Sequence, residues 1–127
     1  GARLEECKKT SEILSKKGID ITIVDARFAK PLDEKLIMEV ATNHEVVVSV
    51  EEGSIGGFGS HVMQLLSDRG VFDKGLKFRS MILPDIFLDH DSPQKMYENA
   101  GLDSQAIANK IEDTLKSNIV LAKNKTL

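Results

Sequence analysis

The sequence predicts an α/β domain in which a mostly parallel sheet is covered by helices on both faces, in a three-layer αβα arrangement. Two apolar runs rich in β-branched residues, 19–25 and 46–50, and a third strand-like run at 76–83 alternate with segments whose apolar residues recur at helical spacing. Strands that are close to continuously apolar are typical of parallel sheets buried on both faces. Because the chain opens on a helical pattern, we also expect its first strand to lie before Gly1.

Composition favours a single domain and argues against several classes of partner. The 127 residues are enough for one core, and 17 Lys and Arg against 20 Asp and Glu give a formal net charge of -3. Without a basic stripe, nucleic-acid binding is not expected. No window approaches the roughly 18 apolar residues of a membrane span, and no secretory signal is visible, so a cytoplasmic location is expected. Cys7 is the single cysteine, which excludes an internal disulfide and the usual zinc frameworks.

The first two helices are predicted from apolar spacing and capping residues. The first ends at Gly18, with Glu6 among the charged residues of its outer face and with an inner face formed by Leu4, Cys7, Ser11 and Leu14. Asp33 stands at the N-cap of the second helix. That helix ends at residues 43–44, and its predicted buried face holds Leu36, Ile37, Val40 and Ala41.

The second half of the chain predicts three further helices and one strand. A helix of about ten residues, closed by Gly70, carries Val62, Met63, Leu65 and Leu66, and Met63 is expected to belong to the core. Pro84 ends the strand at 76–83. Ser92 and Pro93 predict the start of a short helix that stops at residues 99–101. Asp103 then caps a separate final helix, whose packing stripe is Ile107, Ala108, Ile111 and Leu115.

The stretch of residues 51–60 is the first place to look for function, because a buried strand, a glycine loop and a helix meet there. Ligands of open α/β sheets gather beyond the carboxyl ends of the strands. The glycine spacing matches neither G-x-G-x-x-G nor a P-loop, and two adjacent carboxylates, Glu51 and Glu52, would repel a phosphate. These glutamates are interpreted as solvated or interface charges.

The sequence predicts no catalytic, cofactor-binding or metal-ligating residues in this chain. His44, His61 and His90 lack the spacing of a metal site, although His61, in the first turn of its helix, could face a cleft instead of solvent. Residues 53–56 do not form a G-x-S-x-G nucleophile motif. Arg27 is the best candidate to bind an anion, but an ion pair with Asp25, Asp33 or Glu51 is the competing interpretation.

Four motifs, in order along the chain, resemble the C-terminal domain of 1-deoxy-D-xylulose-5-phosphate synthases. They are V-D-A-R-F-A-K-P-L-D at 24–33, E-E-G-S-I-G-G-F-G-S at 51–60, L-P-D at 83–85 and G-L-D at 101–103. The resemblance covers essentially the whole chain. Its first motif is the more specific, whereas the second is shared more loosely with transketolase and with the β subunits of 2-oxo acid dehydrogenases.

The resemblance implies that residues 1–127 are one transketolase C-terminal-like domain of a three-domain transferase. That enzyme condenses pyruvate with glyceraldehyde 3-phosphate on thiamine diphosphate and magnesium, for isoprenoid, thiamine and pyridoxal synthesis. In the family, the cofactor motif and the catalytic glutamate belong to the two preceding domains. The isolated chain is therefore expected to be inactive and without bound cofactor, and to contact the preceding domains and a second subunit of a homodimer. Arg27, Lys30, Glu51 and Glu52 are the motif positions implied in interdomain contact.

Two other interpretations stay open. The chain could be the same domain of a 2-oxo acid dehydrogenase β subunit, or a free-standing module that holds a small anion with Arg27 and the glycine loop. A strand lost before Gly1 would leave a sheet edge unpaired. We therefore expect concentration-dependent self-association through that edge or through the loops of Arg27 and Glu52.

Overall fold

The computed structural model describes residues 3–25, 33–53, 57–83 and 93–117. Predictions were made from the sequence for five residues that lie outside these ranges: Arg27, Lys30, Pro84, His90 and Ser92. Within them the chain forms helices α1 Arg3–Ser15, α2 Glu34–Asn43, α3 Phe58–Asp68 and α4 Pro93–Lys116, the 3-10 helix η1 Val71–Lys74, and strands β1 Val46–Glu52 and β2 Lys77–Leu83.

The two strands pair in parallel and confirm the predicted α/β fold, with helices packed around the sheet. Val46 lies opposite Lys77, and the register runs without a break to Glu52 opposite Leu83. Because side chains alternate along a strand, each face of the sheet receives every second residue. One face carries Val47, Ser49 and Glu51 of β1 beside Phe78, Ser80 and Ile82 of β2.

The main core lies on that face, where α2, α3 and η1 cover the sheet. Its buried residues are Ala41, Val62, Leu66, Val71 and Phe78. Helix α2 begins as predicted, since the Asp33 carboxylate accepts a hydrogen bond from the Leu36 amide at 3.0 Å.

Helices α4 and α1 lie on the opposite face and pack against each other. Lys77 points to this face, and its ammonium donates to the carbonyls of Leu115 and Ser117 at the end of α4, at 3.4 and 2.9 Å. Between the helices, the Thr10 hydroxyl contacts the carbonyls of Glu6 and Ser104 at 2.7 and 3.1 Å.

The strand predicted at residues 19–25 is wrong. These residues form no regular secondary structure, and Ile23 and Val24 are 36% and 41% exposed. A strand needs a neighbour that pairs with its backbone, and in the described ranges β1 and β2 pair only with each other. The segment is attached through its side chain instead, because the Thr22 hydroxyl lies 2.9 Å from Nε2 of His44.

Three predictions about helices are also wrong. The predicted stop at residues 99–101 is absent, because α4 continues through Gly101 and Asp103 to Lys116. Packing of its second half on α1 outweighs the cost of about 1 kcal/mol for glycine in a helix. Glu6, predicted to face outward, is only 1% exposed. Met63 and Leu36, predicted to be buried, are 43% and 38% exposed.

Candidate functional site at the carboxyl end of the sheet

The carboxyl end of the sheet is formed by the last residues of β1 and β2, with Gly53 and Gly57 beside them. β1 ends at Glu52, and the Gly53 amide then donates to the Leu83 carbonyl at the end of β2, at 3.0 Å. The chain enters α3 through Gly57, whose φ of +108° lies in the region that favours glycine. Gly53 and Gly57 therefore lie beyond the end of β1, as predicted from the sequence.

Glu51 is an internal cap of α3, so the interpretation of this residue as a solvated charge is wrong. Its side chain is on the core face of the sheet and only 9% exposed, and its Oε2 accepts a hydrogen bond of 2.7 Å from the Gly59 amide. That amide belongs to the first turn of α3, whose N–H groups have no partner within the helix. A carboxylate at this place also interacts favourably with the helix dipole. Glu51 therefore fixes the start of α3 on the end of β1.

Glycine is required at position 59 because the backbone of α3 approaches the sheet closely there, and not because of its backbone conformation. A Cβ at this position would lie 2.7 Å from Ser49 Oγ and 3.0 Å from Glu51 Oε2, and nearer still to Ser80 Oγ. Three oxygens from both strands therefore converge on the α3 backbone. In the described part of the chain, Ser49 Oγ and Glu51 Oε1 are buried without a hydrogen-bond partner.

The other predicted site residues have different surroundings. Glu52 points to the opposite face of the sheet from Glu51 and is half-buried, whereas His61 is exposed in the first turn of α3. Ile82, opposite Glu51 in the sheet, is 64% exposed beside Gly53. The structure therefore brings Glu51 and Glu52 to one end of the sheet but separates their side chains. Their part in interdomain contact stays a prediction, as do those of Arg27 and Lys30.

Ser49 and Ser80 were not among the site residues predicted from the sequence. A signal was available for Ser49, which interrupts the apolar run at 46–50, whereas Ser80 follows Arg79 in a strand that already contains polar residues. What the sequence does not give is the register, which places these two residues opposite each other below Gly59.

The described residues do not fit a diphosphate or its magnesium ion. Helix N-termini bind phosphates through free N–H groups, but here the carboxylate of Glu51 already occupies the Gly59 amide. Magnesium prefers clustered oxygen ligands, and in the described ranges no three His, Cys, Asp or Glu side chains form a possible metal-binding group. Nor is any helix in those ranges long and apolar enough to cross a membrane.

Comparison with known protein families agrees with this architecture. The family model for the transketolase C-terminal domain matches residues 1–107. The matched part includes both strands and the Glu51–Gly59 contact, together with the first half of α4. The chain therefore belongs to the transketolase C-terminal domain family.

Proposed function

We propose that the chain is the C-terminal domain of a 1-deoxy-D-xylulose-5-phosphate synthase, which condenses pyruvate with glyceraldehyde 3-phosphate using thiamine diphosphate and magnesium. The family match supports a domain of a thiamine-diphosphate-dependent enzyme. The observation that carries the finer assignment is the motif R-F-A-K-P-L-D at residues 27–33, which is the most specific part of the resemblance. Its last residue, Asp33, caps α2.

In this proposal the domain packs against the preceding domains and supports a homodimer, and the catalytic groups lie elsewhere in the enzyme. The position of Glu51 supports the view that the catalytic groups lie elsewhere, because its carboxylate accepts a hydrogen bond from the Gly59 amide at the start of α3. Among the described residues at this end of the sheet, His61 and Ile82 are exposed and Glu52 is half-buried, and their surface position supports such contacts.

An activity assay tests where catalysis lies. The isolated chain is incubated with pyruvate, glyceraldehyde 3-phosphate, thiamine diphosphate and magnesium, beside a complete synthase as positive control. We expect no product from the chain alone. Turnover that depends on thiamine diphosphate would contradict the proposal, since the cofactor and catalytic glutamate would then be held by these residues.

A second experiment tests the contact role in the full-length enzyme. We expect Ile82→Asp to raise the dissociation constant of the dimer, or to increase proteolytic cleavage between domains. Ser67→Asp, on exposed helix surface away from the sheet end, is the matched control. If both variants and the unchanged enzyme had the same dissociation constant and the same rate of cleavage, the carboxyl end of the sheet would not be a contact surface.

The second candidate is the same domain of a 2-oxo acid dehydrogenase β subunit. The motif E-E-G-S-I-G-G-F-G-S at 51–60 favours it equally, because both enzyme groups share this pattern. The complete gene separates the two proposals. A long diphosphate-binding region encoded on the same chain indicates the synthase, whereas a separate gene for an α subunit indicates the dehydrogenase.

A further inference from the structure

The side chain of His44 joins the end of α2 to the segment of residues 20–24. His44 directly follows α2, has extended backbone with φ −131° and ψ 148°, and is half-buried. Its Nδ1 lies 2.8 Å from the carbonyl oxygen of Val40 in the last turn of α2, and its Nε2 lies 2.9 Å from the hydroxyl of Thr22. Both ring nitrogens are therefore within hydrogen-bond distance of a partner.

Thr22 is the point at which residues 20–24 are attached to α2. The chain leaves α1 just before this segment, where the Ile19 amide donates to the Leu14 carbonyl at 3.0 Å. Among the described residues, the hydrogen bond between Thr22 and His44 is the only one made by residues 20–24. The position of the segment beside α2 therefore depends on this single polar contact together with whatever apolar surface the segment buries.

The chemistry of the two partners decides which nitrogen of His44 carries the proton. A carbonyl oxygen can only accept a hydrogen bond, so Nδ1 is protonated and donates to Val40. In the neutral ring Nε2 then has a free lone pair, and it accepts from the Thr22 hydroxyl. The neutral ring is thus fixed in the Nδ1–H tautomer, because each nitrogen follows the bond that it makes.

Protonation of the ring reverses the bond to Thr22 without breaking it. Nδ1 donates to Val40 in both states, so the ring keeps its orientation and Nε2 stays directed at Thr22. The protonated Nε2 becomes a donor, and the hydroxyl oxygen of Thr22 can accept. Because Thr22 is exposed, its hydroxyl proton can turn to solvent. A positive ring also interacts favourably with the C-terminal end of a helix.

The charged groups around the ring do not oppose this arrangement. A cleft of about 320 Å³ is lined by His44 together with Glu45 and Lys74, which carry opposite charges. Asp20 lies two residues before Thr22 in the attached segment. In the part of the chain that the structure describes, none of these three forms an ion pair with the ring. Proton uptake by His44 therefore breaks no ion pair there.

We propose that His44 is a clasp that holds residues 20–24 on α2 in both protonation states of its ring. The competing possibility is a switch that releases the segment in acid. Release needs the ring to turn away from Val40, yet Nδ1 remains a donor to that carbonyl whether the ring is neutral or charged. The clasp uses contacts within the chain alone, so it does not depend on the proposed enzyme.

NMR of the unchanged chain tests the tautomer and the reversal. Long-range proton–nitrogen correlation spectra should show a protonated Nδ1 and an unprotonated Nε2 for neutral His44, and two protonated nitrogens at low pH. His61 is exposed, and the described residues offer its ring no hydrogen-bond partner, so it is the internal reference for an unconstrained histidine. A neutral His44 that carries its proton on Nε2 would overturn the proposal.

Backbone order parameters test whether the contact holds the segment. In the unchanged chain, residues 20–24 should have values near the 0.85 or so of rigid backbone, both when His44 is neutral and when it is protonated. Thr22→Val removes the hydroxyl at similar side-chain shape and should lower these values to below about 0.6 at either pH. Thr22→Ser keeps a hydroxyl and should behave as the unchanged chain.

Two results for the order parameters would contradict the clasp. Values of residues 20–24 that fall in the unchanged chain as His44 takes up its proton would identify a release switch. Values that are the same in Thr22→Val and in the unchanged chain would show that the contact does not hold the segment. The pH comparison requires no variant to fold, and the spectra of α3 and β2 report whether Thr22→Val keeps the core.

Discussion

At the scale of single residues, Gly59 and Glu51 together attach the start of α3 to the end of β1. Helices normally favour alanine over glycine, yet a methyl group at position 59 would collide with oxygens of Ser49, Glu51 and Ser80. The absence of a side chain lets α3 approach the sheet closely enough for the Gly59 amide to reach Glu51 at 2.7 Å. The two residues therefore depend on each other, and each can be tested by substitution.

We predict that Gly59→Ala lowers the free energy of unfolding by about 1–3 kcal/mol, as expected for overpacking. This sign is opposite to the gain of up to about 1 kcal/mol expected from helix propensity alone. Urea unfolding followed by circular dichroism measures the change. Ser60→Ala, at the exposed neighbouring position, is the control, and Ser80→Ala added to Gly59→Ala should restore part of the loss. A Gly59→Ala chain as stable as the unchanged one would disprove the close-approach explanation.

We predict that Glu51→Ala destabilises the chain by about 1–3 kcal/mol, because it leaves the buried Gly59 amide without its acceptor. Glu51→Gln keeps an acceptor oxygen and loses only the charge at the helix start, so its effect should stay within about 1 kcal/mol. The same pair of substitutions at Glu52, on the other face of the sheet, is the matched control. If Glu51→Gln were as damaging as Glu51→Ala, the hydrogen bond to Gly59 would not be the reason for the glutamate.

At the scale of elements, the contact of α1 with α4 carries an ion pair that depends on pH. The Lys17 ammonium lies 2.7 Å from Glu112 Oε1 and joins the turn after α1 to α4. The hydrogen bond from Lys17 and its positive charge, with a further contribution from Lys116, hold the pKa of Glu112 below its usual range. The folded state therefore binds this proton more weakly than the unfolded state does.

It follows that the contribution of this pair to stability is present above the ordinary glutamate pKa of about 4.3 and is lost as the pH falls through the lower folded pKa. We predict that Lys17→Met lowers the melting temperature at pH 7 and that the difference from the unchanged chain shrinks towards zero in strong acid. Lys16→Met, which removes a neighbouring exposed lysine, should show little of this dependence. A difference that stays constant from pH 7 to pH 3 would show that Lys17 acts through packing and not through Glu112.

Helices and strands were predicted correctly from the local sequence where pairing or packing with distant segments favours the same secondary structure. β1 and residues 19–25 have similar β-branched composition, yet only β1 is a strand, because β2 lies beside it and pairs with its backbone. Similarly, Asn99 and Gly101 signal a helix end, whereas α4 continues because its later turns pack on α1. Pairing and packing between distant segments decide both cases, and local propensity does not contain that information.

At the scale of the whole molecule, the sequence predicted the place of the candidate site but not its internal geometry. The carboxyl end of β1 and the glycines after it follow from strand and turn signals. Side chains alternate between the two faces of β1, so Glu51 faces the core and Glu52 faces the opposite side. Which of the two faces the core depends on how β1 is aligned with the core. One residue of shift would exchange their environments.

We expect exposed apolar side chains to govern self-association of the chain. Ile82 is 64% exposed at the carboxyl end of β2, and Val24 and Ile23 are 41% and 36% exposed in the segment that follows α1. In the described ranges each strand also has one edge without a pairing strand. Surfaces of this kind favour contact with another chain, through apolar burial or through strand pairing.

We therefore predict that the chain self-associates, with a weight-average mass that rises with concentration in sedimentation equilibrium. Ile82→Asp should shift the association to higher concentration, because it places a charge where apolar contact would form. Ser67→Asp adds the same charge to an exposed position of α3 and should leave the association unchanged. Extending the chain with its natural upstream residues should also weaken association if they pair with a sheet edge. A chain that sediments as a monomer at every concentration, with or without those residues, would falsify the role of these exposed surfaces.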